Sequence, residues 1–433
     1  MLVKFIVSNF KSISKEQEFT MVAGAKRNHY DHIYEFDNVK ILKGSAFYGS
    51  NSAGKTSIVD AFSVSKKIIT DGLENESTDY SGQYCRTKSE NKTKTTHFEY
   101  MIEVDKELFY YGFEVVLSEL AIKKEWLYKY EPINDNEIEI YSIDYETGES
   151  NYPYFESSDE EKNSLRFHYE SAVNDNILLL KQVGKMKFIE ENSVLYVIKK
   201  VYQWFKNKLY VGIESKMYKG DYLSSFNKIV NRMKLDICDS KLVECDDVDS
   251  DIASSVFNAL TNALKIDKKE DVDFYCPGYS FSLKDNKLTV REVHTKHRSS
   301  NSEFNIREES KGTLELIELI PMIYPECNDC TFIIDEFGSN LHPVIAPEVI
   351  KAFYELNADN KCQLIVATHQ TSIMTSDIFR SDEIWMVDKK DGESEFYSLA
   401  DFNIRSDIKW DRQYLEGRFG ALPIFSDDGG PCD

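Results

Sequence analysis

Residues 39–70 read VKILKGSAFYGSNSAGKTSIVDAFSVSKKIIT. The first ten are apolar and β-leaning, and Ser57 onward carries apolar residues at helical spacing. Between them lies Gly49-Ser50-Asn51-Ser52-Ala53-Gly54-Lys55-Thr56, the pattern G-x-x-x-x-G-K-T. A strand, that spacing and a helix following it together make a phosphate-binding loop. The glycines let backbone N–H groups curl round a phosphate, and the helix N-terminus adds positive potential. Lys55 is placed to reach the β- and γ-phosphates, the Thr56 hydroxyl is placed for Mg²⁺, and Ser57 follows in the first helical turn.

A second stretch, Thr331-Phe-Ile-Ile-Asp335-Glu336, is a buried strand that ends in two carboxylates. Beside a phosphate loop, Asp335 suits Mg²⁺ and Glu336 suits polarising an attacking water. Thr368-His369 follows a third apolar strand, 363–367, where a histidine could sense a γ-phosphate. Glu309-Ser310-Lys311-Gly312-Thr313 opens a helix, with Ser310 a good N-cap and Gly312 allowing close backbone approach. Strands at 331–335, 363–367, 383–388 and 395–399, with helices at 312–324 and 343–357, predict a largely parallel sheet covered by helices. Alternation at 97–117, broken at Asp105-Lys106, predicts a β-hairpin, as do 137–150 and 279–293. Amphipathic helices are expected at 176–187 and 192–208.

The chain has 433 residues, enough for roughly three units. It is 42% apolar with a formal net charge of −22. That charge repels nucleic acid and anionic membranes as a whole. No apolar run is long enough to span a bilayer. The start does not resemble a signal peptide, and eight scattered cysteines fit reduced thiols, so the expected compartment is the cytoplasm. The lone Cys327-x-x-Cys330 reads as incidental, and His294-x-x-His297 as a surface segment with no carboxylate fixed beside it. Acidic stretches at 156–161 and 244–251 read as solvated.

The ordered set of phosphate loop, Ser310–Thr313 segment, Asp-Glu strand, Ser339-Asn340-Leu341-His342-Pro343 and His369 resembles ABC-type, SMC-like ATPases. The opening F-x-V-x-N-F-K-S-I (residues 5–13) points the same way, and Glu309–Thr313, the stretch DEFGSNLHP (335–343) and Tyr414–Pro423 (YLEGRFGALP) more closely resemble the RloA/AbiL-type, OLD-related AAA family ATPases of bacterial phage defence. The likeness covers about 1–130 and 300–423. It implies an α/β fold: an ABC-type P-loop ATPase domain, mostly parallel sheet flanked by helices, with β-hairpins in the N-terminal lobe and a large, mainly helical insertion. The implied division is 1–130 (phosphate loop), 131–295 (insertion) and 296–433 (signature, Asp-Glu strand and switch histidine).

The resemblance implies ATP and Mg²⁺ as cofactors, with His369 as the switch histidine. Ser310 and Gly312 would touch the γ-phosphate held by an opposing subunit of a homodimer, Asn340 would lie between the two sites, and Lys11 would contact nucleotide. It implies a nucleotide-driven switch or sensor in anti-phage defence, with a nuclease- or toxin-like effector on a separate chain and a phage-derived trigger. Direct nucleic-acid binding stays open, and no membrane partner is expected. Lys311 departs from the transporter signature glycine. Gln83 is a candidate for the glutamine loop, with an ordinary loop residue as the other reading. The alternative is a DNA-repair or chromosome-associated ATPase acting directly on DNA. Too few residues follow His369 for an OLD-type nuclease domain, so no nuclease activity is expected in this chain.

Overall fold

The computed structural model describes the chain outside residues 27, 74–78, 153–158, 188, 192, 214–221, 246–271, 277, 285–286, 326, 403, 405–408 and 424–433. It divides into two compact units. The first comprises Met1–Val211, Asp329–Phe337 and Lys361–Asp433, the second Gly212–Asn328 and Gly338–Asn360.

In chain order the elements up to residue 211 are β1 (Leu2–Ser8), β2 (Gln17–Thr20), β3 (Ile33–Phe36), β4 (Val39–Leu42), β5 (Gly44–Tyr48), α1 (Lys55–Asp71), β6 (Thr96–Val104), β7 (Glu107–Val116), β8 (Ala121–Glu131), β9 (Asn136–Asp144), β10 (Ser150–Asn151), α2 (Asp159–Asn174), α3 (Leu179–Gly184), α4 (Val194–Asn207) and β11 (Leu209–Val211). Then come α5 (Tyr222–Arg232), β12 (Ile237–Glu244), β13 (Val272–Cys276), β14 (Tyr279–Lys284), β15 (Lys287–His297), β16 (Glu303–Asn305), α6 (Lys311–Ile323), β17 (Thr331–Ile334), α7 (Ile345–Leu356), β18 (Gln363–Ala367), β19 (Ile384–Lys390), β20 (Glu393–Ser398) and α8 (Trp410–Leu415).

The sheet that positions the site runs β11-β17-β18-β5-β19-β20. Its first five strands are parallel and β20 pairs antiparallel at the edge. Every residue of β5, β17 and β18 is buried. That is why they read as unbroken apolar runs rather than alternating ones. Gln363 stitches the N-terminal ends together: its amide bonds the backbone of Leu2 and Leu42 and accepts from the Thr331 hydroxyl.

A seven-stranded antiparallel sheet, β10-β9-β8-β7-β6-β1-β2, makes up most of the rest of the first unit. Asp105 and Lys106 both take positive φ, as a two-residue hairpin turn between β6 and β7 requires. Helix α1 packs Phe62 against Phe5 of β1, with ring centroids 4.0 Å apart, and Phe19, Phe47 and Trp385 continue this aromatic core. On β8, fully buried Glu125 accepts from the hydroxyls of Tyr111, Tyr141 and Tyr145 and from the backbone N–H of Leu179 and Leu180. Burial raises its carboxyl above the ordinary range.

The second unit carries an antiparallel sheet, β12-β15-β14-β13 with β16 beside β15, and helices α5, α6 and α7. The compact units therefore run across the boundaries expected at 130 and 295: β8, β9 and helices α2–α4 stay with the first unit. The stretch at 131–295, expected to be mainly helical with a β-hairpin at 279–293, also holds strands β12 and β13. The hairpin turn expected at Asp285-Asn286 and most of the two acidic stretches lie outside the described residues.

Two further expectations are corrected. Cys327 and Cys330 are each disulfide-bonded, not incidental reduced thiols. His297 does have carboxylates beside it, Glu309 at 2.8 Å and Asp236 at 3.5 Å. His294 and His297, an odd number of residues apart on β15, point to opposite faces and form no metal pair.

Candidate functional site

The C-terminal ends of the parallel strands carry the chemistry-bearing residues. After β5 the chain turns through Gly49–Gly54 into α1. Gly49 and Gly54 are glycines for two reasons. A Cβ on Gly49 would lie 2.3 Å from the Val387 carbonyl oxygen. Gly54 holds φ at +114°, and a Cβ there would lie 2.1 Å from the Ser394 hydroxyl oxygen. Ser52 also takes positive φ, while Ser50, Asn51 and Ala53 complete the loop. Behind it runs a chain of hydroxyls. Ser394 Oγ donates to the Ala53 carbonyl at 2.6 Å and bonds Ser12 at 2.7 Å, and Ser12 bonds Ser57 at 2.8 Å.

Lys55 is 7% exposed, and its ammonium donates to the carbonyls of Gly49 and Ser50 at 2.8 and 3.1 Å. Burial pulls its pKa down to about 8 against the opposing pull of Asp335 and Glu336. Both carboxylates follow the last residue of β17. Glu336 takes φ of 53°, rare for a residue with a Cβ, and its N–H donates to Asp335 Oδ1 at 3.0 Å. The next residue is pinned from both sides. Phe337 N–H donates to the Ala367 carbonyl, and the Thr368 hydroxyl donates to the Phe337 carbonyl at 2.7 Å. These bonds tie Glu336 to the end of β18, where His369 follows. Burial and Lys55 lower the His369 pKa, with Glu336 and Asp335 opposing. The imidazole is therefore neutral at physiological pH.

The first unit thus brings together Lys55, Asp335, Glu336 and His369, with exposed Thr56 one residue beyond Lys55. Lys11 ion-pairs with Asp60 of α1, and its N–H donates to the Gln83 carbonyl. Gln83 Oε1 is buried with no hydrogen-bond partner among the described residues.

In the second unit Ser310 caps α6, accepting from Thr313 N–H at 3.2 Å. A Cβ on Gly312 would lie 2.8 Å from the Asn340 carbonyl oxygen. Glu315, one turn along α6, accepts from the N–H groups of Gly338 and Asn340, both at 2.7 Å. The expected signature segment and Asn340 are therefore locked to each other. Sequence reading did not single out Ser12, Ser394 or Glu315. The i+3 spacing of Glu315 from Gly312 puts both on one helix face, the one signal that could have found it.

A glycine loop between buried parallel strand β5 and helix α1 makes this a P-loop-type α/β domain. The chain belongs to the family described as "AAA domain, putative AbiEii toxin, Type IV TA system", whose model matches residues 45–375. No curated protein matches the sequence. Among solved structures, an Smc head bound to the C-winged helix domain of ScpA is 14% identical, with TM-score 0.42 over 92% of this chain and 97% of that one. An Smc head domain with an extended coiled coil, bound to the C-terminal domain of ScpA from Pyrococcus furiosus, is 13% identical, with TM-score 0.41 over 92% and 96%. The SMC head domain from Thermotoga maritima is 14% identical, with TM-score 0.39 over 92% and 98%. No helix among the described residues is long and apolar enough to cross a membrane.

Proposed function

We propose that this chain binds and hydrolyses ATP at the loop 49–57 and uses the bound nucleotide as a switch. The observation that carries this reading is the convergence of Lys55, Asp335, Glu336 and His369 at one sheet edge, close enough that Lys55 feels both carboxylates and His369 feels all three. The loop's N–H groups and Lys55 hold the phosphates, and neutral His369 donates its ring N–H to a γ-phosphate oxygen. Glu336, displaced from β17 by its left-handed backbone, orients the attacking water as general base. Lys11, whose backbone N–H donates to the Gln83 carbonyl and whose ammonium pairs with Asp60, would contact the nucleotide.

Thr56 and Asp335 offer oxygen donors only, a set that suits Mg²⁺. When bound, the ion supplies neutralisation of charge on the phosphate oxygens. Ser310 and Gly312 of a second copy close over the γ-phosphate, so ATP favours a homodimer that ADP does not sustain. In this reading the chain is a cytoplasmic switch in anti-phage defence, answering a phage-derived trigger, with a toxin- or nuclease-like effector on a separate chain; the toxin–antitoxin description of its family is what favours a defence setting.

The test is paired. Glu336→Gln should keep ATP binding and slow turnover by about 10²-fold or more, accumulating ATP-bound dimer. Lys55→Ala should lose ATP binding. Unchanged turnover in the first variant, or unchanged affinity in the second, overturns the assignment.

A further inference from the structure

The last hairpin of the central sheet overhangs the phosphate loop. β19 pairs with β5 as far as Met386 beside Tyr48, the last residue of β5, and then runs on to Lys390. Asp391 and Gly392 take φ of 52° and 82°, so a two-residue turn sets the register of the returning strand, with Ser394 opposite Lys389. Ser394 is thereby carried past the end of β5 and buried against the back of the loop. A Cβ on Gly54 would lie 2.1 Å from the Ser394 hydroxyl oxygen and 2.8 Å from that of Ser12, so only glycine admits both serines here.

Bond counting gives the hydroxyls behind the loop a direction. Ser394 Oγ lies 2.6 Å from the Ala53 carbonyl oxygen and 2.7 Å from Ser12 Oγ, which lies 2.8 Å from Ser57 Oγ. Each hydroxyl has one proton to give, and a carbonyl oxygen only accepts. Two oxygens 2.6 Å apart with no proton between them repel, so the Ser394 proton lies on the Ala53 bond. Ser12 therefore donates to Ser394, and Ser57 to Ser12. The chain runs one way and ends on the Ala53 carbonyl. The Ser394 N–H, donating to the Ser12 carbonyl at 2.7 Å, holds the two serines together.

The Ala53 carbonyl shares a peptide plane with the Gly54 N–H. A trans peptide keeps its C=O and N–H on opposite sides. With the carbonyl drawn back to Ser394, the N–H faces the mouth of the loop, and nothing among the described residues accepts from it. Gly54 holds φ at +114° in this arrangement. Turning the peptide over would bring it to about −65°, the ordinary helical value, which glycine adopts as readily. That flip would also aim the Ala53 oxygen at the place a phosphate oxygen needs. Glycine does not choose between the two arrangements, so the bond from Ser394 does.

We propose that Ser394 is a positioning residue for phosphate binding: its hydroxyl, backed by Ser12, holds the Ala53–Gly54 peptide with the Gly54 N–H turned toward the phosphates. This rests on the reading of loop 49–57 as the nucleotide site and names what keeps that site shaped for an anion. Ser394 touches no substrate and acts through Gly54.

The sequence supplies a direct probe. The pair Ala-Gly occurs at 23–24 and 53–54 alone. Full-length protein labelled at the alanine carbonyl carbon and the glycine nitrogen therefore gives two amide resonances in a carbonyl-selected NMR spectrum, Gly24 and Gly54. Gly24 N–H donates to Asp382 at 2.7 Å and serves as the control. On adding the non-hydrolysable analogue AMP-PNP with Mg²⁺, the wild-type Gly54 proton should move downfield, as an N–H gaining a charged acceptor does, while Gly24 stays. Ser394→Ala should bind AMP-PNP about tenfold more weakly, and at saturation its Gly54 proton should stay near the nucleotide-free position. Ser12→Ala removes the donor to Ser394 but leaves the Ala53 bond, and should weaken binding by only about threefold. Unchanged affinity or a full Gly54 shift in Ser394→Ala overturns the proposal. If a displaced Gly24 resonance shows Ser394→Ala misfolded, Ser12→Ala decides, and unchanged affinity there overturns it. A wild type that binds no AMP-PNP fails the nucleotide reading and this inference with it; a wild type that binds and shifts while the variants match it fails this inference alone.

Discussion

Replacing Glu315 by Ala should release residues 338–340 from the helix that holds them. Each Glu315 oxygen accepts one backbone N–H, from Gly338 and from Asn340, at 2.7 Å. Hydrogen bonds to a charged acceptor contribute about 1.5–3 kcal/mol each, and amides released to water recover part of that, so the net local loss is about 3 kcal/mol. Such a loss multiplies the opening equilibrium of those amides about 150-fold, which hydrogen exchange followed by mass spectrometry reads directly. Glu315→Gln keeps one acceptor and should fall between wild type and Ala. ATP affinity should hold in both variants, because Lys55 and its loop belong to the first unit. Turnover should fall if Asn340 serves a second copy's site. Exchange at 338–340 that is the same in Glu315→Ala and wild type would refute the clamp.

Glu125→Ala should destabilise the chain by about 3–5 kcal/mol, since it strands three tyrosine hydroxyls and two backbone N–H groups; a denaturant midpoint close to wild type would contradict this. His297 carries a pH signature. Its bond to Glu309, with Asp236 adding to it, raises its pKa above the ordinary value. A raised histidine stabilises the fold fully below about pH 6.5, and that contribution is lost as pH climbs through the raised value. The unfolding midpoint should therefore fall between about pH 6 and pH 8, and His297→Gln should flatten that dependence.

The parts of the site legible in the sequence were those written contiguously. Gly49–Thr56 announces its loop because phosphate contact needs a run of backbone N–H groups, and Asp335-Glu336 stands out because two carboxylates close an apolar strand. Strands β17 and β18 were legible because burial on both faces leaves unbroken apolar runs. Ser12 and Ser394 were not, because a serine that backs a loop from 382 positions away from its partner leaves no local pattern. The left-handed turn at Glu336 is imposed by bonds from Ala367 and Thr368, again remote in sequence. The compact units depart from the boundary expected at 130 because β8 and β9 extend a sheet whose periodicity does not say where it stops. The second antiparallel sheet was legible only in its β14–β15 hairpin, because β12 pairs with β15 across a long connection.

The placement of β5 bears on how the polypeptide matures. Both its neighbours, β18 and β19, come from the far end of the chain, and its Ser45 meets Glu383 across 338 positions. While synthesis proceeds, β5 waits with two bare hydrogen-bonding edges and an apolar surface. The strands β6 to β9 can meanwhile zip up locally as successive hairpins. Closure over such separations is slow, and unpaired apolar edges invite aggregation. Chains truncated before residue 363 should therefore precipitate or stay bound to chaperones, and recovery of soluble protein should appear only once β19 has emerged.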